Sequence, residues 1–282
     1  MEDWGKYYAT QSLVTDPDRY KDLYDSLPDD IPSLCAVIQG LLLHLFWGPA
    51  YDMNIPEDRK NEVKIRKTTR QLGRILELAD LPLATGRTVE KRIIGTCRDY
   101  ATLLTSFLRH KGIPARLRAG FVPYLKPGRY ENHYLCQYWN VARNRWITVD
   151  AQLDEVQLKA LNIRFNPCDL PEDQLWLAGR AWQVCRQGKL DPELFGILDF
   201  RGLWFVGGIL IHDMLALNKI ESQPWDIWPL MPCYKQKDYP PDYLNILDQI
   251  ATLSGSMFPN YNEVRSFYQT ETELQPLSDW KP

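Results

Sequence analysis

The residues whose types and spacing suggest chemistry begin with one cysteine. Cys97 follows Gly95-Thr96 and precedes Arg98-Asp99, at the start of a predicted helix over 97–111. At a helix start, unpaired backbone N–H groups and the helix dipole favour negative charge. They would stabilise a thiolate, which is the reactive form of cysteine, and later an oxyanion. A free cysteine is more often a small buried hydrophobe, but this position favours a nucleophile.

A cysteine nucleophile needs a base, and the chain offers four histidines. His44 and His212 fall in apolar segments that we predict to be helical, so both are expected in the core. His110 lies at the far end of the helix that Cys97 begins, too far away at ~1.5 Å rise per residue. His133, at the start of a predicted strand, is therefore the candidate base.

The segment that contains this histidine has the pattern of a β-hairpin. Strands are predicted over 133–140 and 145–153. We assume that the loop lies between them, so that Asn140 faces Arg145. The whole assignment of side chains to faces depends on this register, because a slip of one residue reverses them.

In this register the hairpin supplies an orienting acid. His133 faces Gln152, and Asp150 is its diagonal neighbour on the same face, at roughly 7–8 Å between backbone positions. Cys136 lies on the opposite face and is expected in the core. Taken alone, Asp150 would be assigned as a turn residue at the end of a strand; beside a histidine it is a candidate to orient the imidazole.

Three stretches of the sequence resemble the bacterial transglutaminase-like superfamily: Gly95–Ala101, Gly112–Arg116 and Trp146–Asp150. The resemblance covers roughly residues 90–153. It implies a Cys-His-Asp triad on a helix and two adjacent strands, with Cys97 as nucleophile, His133 as base and Asp150 as orienting acid. It also implies an acyl or equivalent adduct at the cysteine, released by water or by an amine.

Two departures from the family pattern bear on the substrate. Tyr134-Leu135 follows the histidine where a small and then an aromatic residue are common, and Ala151-Gln152 follows the aspartate where Pro-Thr is common. Tyr134 and Gln152, together with Trp139 on the same predicted sheet, are candidate substrate-binding residues. The alternative is core packing for the two aromatic residues and an exposed strand-end amide for Gln152.

The elements that must position these residues predict an α+β fold. A transglutaminase-like (papain-like) core, with the nucleophile helix packed on an antiparallel sheet, would carry extra helices at both ends. We expect an N-terminal helical region over 1–89, a catalytic core over 90–165 and a C-terminal helical region over 166–282, packed as one compact unit. The helices predicted outside the core cover Ile31–Trp47, Pro56–Ala79, Asp169–Arg186, Gly202–Lys219 and Pro241–Ser254. The Trp- and Pro-rich connection over 224–241 is either a lid or a packed linker.

Composition excludes several classes of protein. The 282 residues are 45% apolar and 24% charged with a net charge of −3, which is ordinary for a globular protein and offers no basic face for nucleic acid. No apolar run reaches the ~20 residues of a membrane span, and no secretory signal is recognised. Six scattered cysteines without a CxxC pair indicate reduced thiols in the cytoplasm and no zinc site.

The sequence thus predicts a cysteine-dependent acyl-transfer enzyme that forms a thioester at Cys97. Its substrate would be a peptide, an amide or an acyl-carrier thioester, and hydrolysis is the first choice of outcome. Amine transfer, meaning crosslinking or amide synthesis, is the alternative, and an inactive binding scaffold is the second alternative. No metal or organic cofactor is implied, since no acidic calcium-loop pattern occurs. The sequence makes no prediction of oligomeric state.

Overall fold

The structure, a computed structural model, describes residues 3–232, 238–276 and 280. It contains mixed helices and sheet, as the sequence predicts. The helices are α1 (Asp3–Tyr8), α2 (Ile31–Leu41), α3 (Thr68–Leu78), α4 (Cys97–His110), α5 (Glu155–Ala160), α6 (Ala178–Arg186), α7 (Leu203–Leu217), α8 (Pro241–Ser254) and α9 (Tyr261–Thr270). The strands are β1 (Leu42–His44), β2 (Ile93–Gly95), β3 (Ala115–Val122), β4 (Tyr130–Asn140), β5 (Arg145–Val149), β6 (Trp176–Leu177), β7 (Phe195–Ile197) and β8 (Phe200–Arg201).

The chain divides into two compact units. Among the described residues, the first unit comprises 3–116 and 135–170, and the second comprises 117–134 and 171–280. The divisions fall within β3 and β4, so each of these strands begins in one unit and ends in the other.

The first unit is organised around α4, which is buried along almost its whole length. Its apolar side chains recur at helical spacing, and α2 and α3 both pack against it. Gly112 follows the end of the helix with a φ of 72°, in the left-handed region that favours glycine. The predicted start of α4 at Cys97 is confirmed.

The predicted helix over Ile31–Trp47 is wrong in its second half. Asp30 caps the start of α2 by accepting a hydrogen bond from the Ser33 N–H at 2.9 Å, but the helix ends at Leu41. The next three residues form β1, which pairs in parallel with β2. A continuous apolar run has the same appearance as a buried helix and as a buried parallel strand, and pairing with a distant segment decided the outcome here.

The predicted helix over Pro56–Ala79 is interrupted. A 3₁₀ helix at Asp58–Lys64 precedes α3, and the two are separated by extended residues around Ile65. Glu62 accounts for the break, because its carboxylate accepts from the Ile94 N–H at 2.8 Å and binds Arg59 at 2.9 Å. Desolvation works against the charge, yet these donors keep the pKa of Glu62 below its usual value.

In the second unit, short strands add to the sheet beside β3 and β4. Antiparallel pairing joins β3 to β6, parallel pairing joins β4 to β7, and β8 pairs with β7. The helices α6, α7 and α8 pack on one another. The predicted helix over Asp169–Arg186 is therefore wrong in its first half: a 3₁₀ turn at Glu172–Gln174 and the strand β6 precede α6. The predictions of α7 and α8 are confirmed.

The Trp- and Pro-rich connection is packed where it is described. Trp228 is 1% exposed, and its indole N–H donates to the Leu274 carbonyl at 2.9 Å. Trp225 is about half exposed. Residues 233–237, and with them Cys233, lie outside the described part of the chain.

Within the described residues, no helix has the length and apolar character needed to cross a membrane. The same residues contain no cluster of three or more His, Cys, Asp or Glu side chains suited to hold a metal ion.

Candidate active site

Cys97 is the first residue of α4, directly after the N-cap Thr96. The carboxylate of Asp99 turns back to the cap, where its Oδ2 accepts from the Thr96 N–H at 2.7 Å and from the Thr96 hydroxyl at 3.1 Å. This arrangement ends the preceding strand and begins the helix at the cysteine. The sulfur is therefore held beside the unpaired backbone N–H groups at the start of α4. Cys97 is 8% exposed.

The first turn of α4 is fixed by a buried polar cluster. Asp99 Oδ1 accepts from Gln71 Nε2 of α3 at 2.8 Å and from the Arg98 guanidinium at 3.1 Å, and Arg98 also donates to the Arg66 carbonyl at 2.9 Å. Burial raises the pKa of the Asp99 carboxyl, and the charge of Arg98 and the bonds from Thr96 oppose that rise.

The strand that leads to the nucleophile is positioned by β1. His44 is the Cα partner of Gly95, and the Leu45 N–H donates to the Gly95 carbonyl at 2.9 Å. Gly95 fits a close approach, because a Cβ there would meet Leu42 at 3.1 Å and Asp99 at 3.2 Å. The backbone two residues before Cys97 therefore has little freedom to shift.

His44 lies in this region instead of in a helix. It is 8% exposed, and its Nδ1 accepts from the Phe46 N–H at 3.2 Å. This bond requires an unprotonated Nδ1, so that Nε2 carries the proton of the neutral ring. The prediction that His44 is a buried histidine is correct, but its location at the end of β1 was missed.

Asp150 directly follows β5 in a hairpin with the assumed register. The observed pairs run from Asn140–Arg145 to Cys136–Val149. Asp150 is 2% exposed, and its N–H donates to the Pro167 carbonyl at 2.9 Å. The segment around Pro167 thus forms backbone hydrogen bonds with the end of the hairpin. Cys136 is fully buried as predicted, and the Thr105 hydroxyl of α4 contacts its sulfur at 3.3 Å.

The loop after Asp150 is held by side-chain amides. Asp150 Oδ1 accepts from the Gln152 N–H at 3.1 Å. From α2, Gln39 Nε2 donates to the carbonyls of Ala151 at 3.1 Å and Leu153 at 3.2 Å. Two buried backbone oxygens thereby gain a donor from a helix that is distant in sequence. The backbone N–H of Asp150 and its carboxylate therefore both have hydrogen-bonding partners that hold the residue in place.

A chain of hydrogen bonds sets the orientation of the Gln152 side chain. Asp154 accepts from the Tyr51 hydroxyl at 2.6 Å, Tyr51 accepts from Gln157 Nε2 at 3.2 Å, and Gln157 Oε1 accepts from Gln152 Nε2 at 2.9 Å. Burial and the Asp154 charge raise the pKa of Tyr51, which keeps its hydroxyl a donor. Gln152 is 2% exposed, so the alternative of an exposed strand-end amide is wrong.

His133 and Tyr134 belong to the second unit, where they lie on β4. His133 is 1% exposed, and its ring meets that of Tyr124 nearly perpendicularly at 6.2 Å between centroids. Tyr134 is 2% exposed, and its ring centroid lies 6.5 Å from that of His212. Both are interior residues of the strand.

Trp139 lies in an aromatic cluster of the first unit. Its ring meets Trp4 of α1 edge-on at 4.9 Å between centroids and Trp146 at 5.8 Å. The guanidinium of Arg116 lies over Trp146 at 3.9 Å. These contacts account for Trp139 by packing, which the sequence analysis gave as the alternative to substrate binding.

The two other histidines have local partners. His110 Nε2 lies 3.4 Å from Asp25 Oδ1, and His212 Nδ1 lies 2.7 Å from the Ser222 hydroxyl. Burial lowers the pKa of His212 to about 4. His212 is therefore neutral at physiological pH.

Sequence reasoning missed the amides that position the site, above all Gln39, Gln71 and Gln157. All three lie on helices with part or all of the side chain inside the protein. The available signal was a polar residue within an apolar helical pattern. Such a residue needs a hydrogen-bonding partner when it is buried.

Comparison with known proteins identifies the region that contains these residues. Residues 59–151 match the model of the transglutaminase-like superfamily. No curated protein matches the chain. Among solved structures, a candidate cysteine protease of Cytophaga hutchinsonii is 17% identical, with a TM-score of 0.35 over 54% of this chain and 43% of that one. The present chain thus covers less than half of that protein.

The matched region begins before α3 and ends just after β5. It includes the capped turn at Cys97, the strand that carries His133, and Asp150. Over residues 59–151, about a third of its length, the chain is similar to the transglutaminase-like superfamily.

Proposed function

We propose that the protein is a cysteine-dependent acyl-transfer enzyme that forms a thioester at Cys97. His133 is the general base and Asp150 orients its imidazole. The superfamily match supports a cysteine-dependent enzyme. The observation that carries the proposal is the placement of Cys97 as the first residue of α4 within the matched region.

Support for the base and the acid comes from the hairpin register. The observed pairs from Asn140–Arg145 to Cys136–Val149 agree with the register assumed from the sequence. In that assumed register His133 is the diagonal neighbour of Asp150 on the same face. A register shifted by one residue would have removed this support.

The proposed reaction follows from these roles. His133 takes the thiol proton, and the Cys97 sulfur attacks the carbonyl carbon of an amide or activated acyl substrate. The backbone N–H groups at the start of α4 stabilise the negative oxygen of the tetrahedral intermediate. The imidazolium returns its proton to the leaving nitrogen or sulfur, and the thioester remains. Water or an amine then attacks the thioester, with His133 again taking the proton.

Hydrolysis is the outcome we propose first, because water needs no dedicated second-substrate site. Transfer to an amine, as in crosslinking or amide synthesis, is the alternative. Peptides, amides and acyl-carrier thioesters are the proposed substrates. The cytoplasmic location and the lack of a nucleic-acid partner stay predictions.

Alkylation by iodoacetamide distinguishes the enzyme from an inactive scaffold. We expect Cys97 to be labelled well below the ~8.5 at which ordinary thiols ionise. The labelling must be measured on separated peptides, because the half-buried Cys168 is a second reactive candidate. A Cys97 that is labelled no faster at pH 6 than buried Cys136 would favour the scaffold.

The acceptor is tested by acylating the protein with p-nitrophenyl acetate and adding n-butylamine. Release of nitrophenolate in a burst, absent in Cys97→Ala, reports the thioester. We expect acetate as the main product at millimolar amine. N-butylacetamide as the main product would instead support the amine-transfer alternative.

A further inference from the structure

His44 lies beside the strand that leads to the nucleophile, and the proposed reaction gives it no role. Because β1 and β2 run parallel, their carboxyl ends lie at the same edge of the two-stranded sheet. His44 ends β1, Gly95 ends β2, and the two are Cα partners. The Leu45 N–H extends this pairing with a bond to the Gly95 carbonyl at 2.9 Å. Cys97 follows Gly95 by two residues, so the histidine and the nucleophile lie at the same edge.

This pairing limits the distance between the two residues. Neighbouring strands lie ~4.8 Å apart, and each residue of the chain adds at most ~3.8 Å between Cα atoms. The Cα atoms of His44 and Cys97 are therefore within about 12 Å of each other. This spacing accommodates a substrate carbonyl group between an imidazole and a thiol.

The His44 side chain lies on the face of the sheet that α4 covers. Side chains of Cα partners point to the same face, so His44 shares a face with a Cβ placed on Gly95. Such a Cβ would meet Leu42 at 3.1 Å and Asp99, in the first turn of α4, at 3.2 Å. The intervening Leu43 belongs to an apolar cluster on the opposite face. His44 is thus on the side of the sheet where the nucleophile helix begins.

A backbone hydrogen bond fixes the proton on the His44 ring. Nδ1 accepts from the Phe46 N–H at 3.2 Å, so Nε2 carries the proton of the neutral imidazole. Phe46 follows the end of β1, so this bond turns the ring toward the carboxyl edge. His44 and Cys97 are each 8% exposed, and the neighbouring Phe46 is 56% exposed. The imidazole is therefore a neutral N–H donor just below the protein surface.

Two other side-chain donors close to this edge have structural tasks. The Thr96 hydroxyl donates to Asp99 at 3.1 Å, and the Tyr100 hydroxyl donates to the Leu42 carbonyl at 3.1 Å. The first bond belongs to the cap of α4, and the second satisfies the backbone at the start of β1. His44 differs from both, because its bond to the backbone uses Nδ1 and its proton is on Nε2.

We propose that His44 is a catalytic residue of the thioester-forming step, an inference that rests on the proposed function. Its Nε2–H donates a hydrogen bond to the negative oxygen of the tetrahedral intermediate at Cys97, together with the backbone N–H groups that begin α4. The imidazole keeps its proton throughout, because it stabilises charge and transfers none. Loss of one such donor slows an acyl-transfer reaction by roughly 100- to 1000-fold.

Two reactions of the same thiol distinguish this role from an effect on the thiolate. Acylation by p-nitrophenyl acetate passes through an oxyanion, and the release of nitrophenolate measures its rate. Alkylation by iodoacetamide displaces iodide from a saturated carbon, so no oxyanion forms. Both rates are measured on the full-length protein at one pH, after subtraction of the rate in Cys97→Ala. The ratio of the acylation rate to the alkylation rate is the quantity compared between variants.

His44→Met and His44→Gln are matched in size, and only the glutamine has an N–H donor near the position of Nε2. We expect His44→Met to lower the ratio roughly 100-fold and His44→Gln to retain roughly a tenth of it or more. The alkylation rate itself should stay within about twofold of wild type in both variants. His110→Ala, the control for loss of a histidine, should leave the ratio unchanged. Circular dichroism checks the fold, and His44→Leu replaces His44→Met if that variant does not fold.

Three results would overturn this role of His44. A ratio in folded His44→Met within about threefold of wild type would exclude a hydrogen bond to the oxyanion. Equal losses in acylation and alkylation would show that His44 acts on the thiolate. Equal ratios in His44→Met and His44→Gln would show that the N–H donor has no effect. A wild-type protein without a Cys97-dependent burst of nitrophenolate would instead contradict the proposed function, and the role of His44 with it.

Discussion

Each unit contains a buried ion pair, and the two pairs perform different tasks. In the second unit, Arg118 and Asp213 are fully buried and meet through two bonds of 2.9 Å. Arg118 also donates to the Ser254 carbonyl at 2.6 Å, and Asp213 accepts from the Ala119 N–H at 2.9 Å. In the first unit, Asp99 Oδ1 accepts from its neighbour Arg98 at 3.1 Å and from Gln71 at 2.8 Å, and Asp99 Oδ2 accepts from the Thr96 N–H at the cap of α4.

The difference lies in what each pair connects. Arg118 and Asp213 join β3, α7 and the end of α8, so their pairing stabilises the packing of a strand and two helices. Arg98 and Asp99 are adjacent in sequence and connect the first turn of α4 to Arg66 and Gln71. The Arg118–Asp213 pair therefore holds distant elements of the second unit together, and the Arg98–Asp99 pair sets the local geometry at Cys97.

The largest effect on stability is expected at Asp213. Asp213→Ala leaves the Arg118 charge buried without its partner, which should cost about 3–5 kcal/mol in the free energy of unfolding. Urea titration monitored by tryptophan fluorescence measures this cost. The double variant Arg118→Met with Asp213→Leu replaces the pair by apolar side chains and should recover most of the loss. A loss below about 1 kcal/mol in Asp213→Ala would refute this role.

The second prediction concerns acid stability in the same unit. Burial depresses the pKa of His212 from 6.5 to about 4, with only Asp226 acting in the other direction. The unfolded chain therefore binds a proton that the folded chain does not, between these two pH values. Stability should be unaffected above pH 6.5 and fall as pH drops to 4, by roughly 3 kcal/mol at most.

His212→Gln tests this assignment, because a neutral amide can still bond the Ser222 hydroxyl but does not titrate. Its free energy of unfolding should vary less between pH 6.5 and 4 than that of wild type. His110→Gln, at a partly exposed histidine, is the matched control and should retain the wild-type slope. Equal slopes in all three proteins would contradict the prediction.

The smallest stability effect is expected in the first unit, at Gln71. Gln71→Leu removes one donor from the buried Asp99 carboxylate and should cost about 1–2 kcal/mol. Because Asp99 caps the turn at Cys97, the same variant should also change the Cys97 alkylation rate. Arg70→Leu, at an exposed neighbouring position of α3, should change neither quantity. If Gln71→Leu and Arg70→Leu gave the same Cys97 alkylation rate, the bond from Gln71 to Asp99 would have no effect on the geometry at Cys97.

The sequence predicted local features of the core better than its long-range pairings. Gly95-Thr96 and Asp99 carry the start signals of α4, and Gly112 carries its stop signal, so the helix could be placed without tertiary information. The hairpin register followed from a short loop between two strands. Cys97 on α4, and His133 and Asp150 on the hairpin, could be named as candidates because local signals in the sequence placed both elements.

The missed features depend on segments that are distant in sequence. β1 exists because β2 pairs with it, and β6 because β3 does. The apolar run over 31–47 contains no signal for the first pairing. Local periodicity does not encode such contacts, so neither could be predicted.

The most direct test of the proposed triad is the rate of Cys97 alkylation as a function of pH, measured on separated peptides. Wild type should react well below pH ~8.5, His133→Ala should react as an ordinary thiol, and Asp150→Asn should show a smaller loss. Cys97→Ala gives no adduct at this position, and adding either other substitution to it should change nothing further. His110→Ala is the control for removing a histidine, and circular dichroism checks the fold of each variant. The account predicts that only substitutions at His133 and Asp150 shift the profile. An unchanged profile in folded His133→Ala would show that the base lies elsewhere.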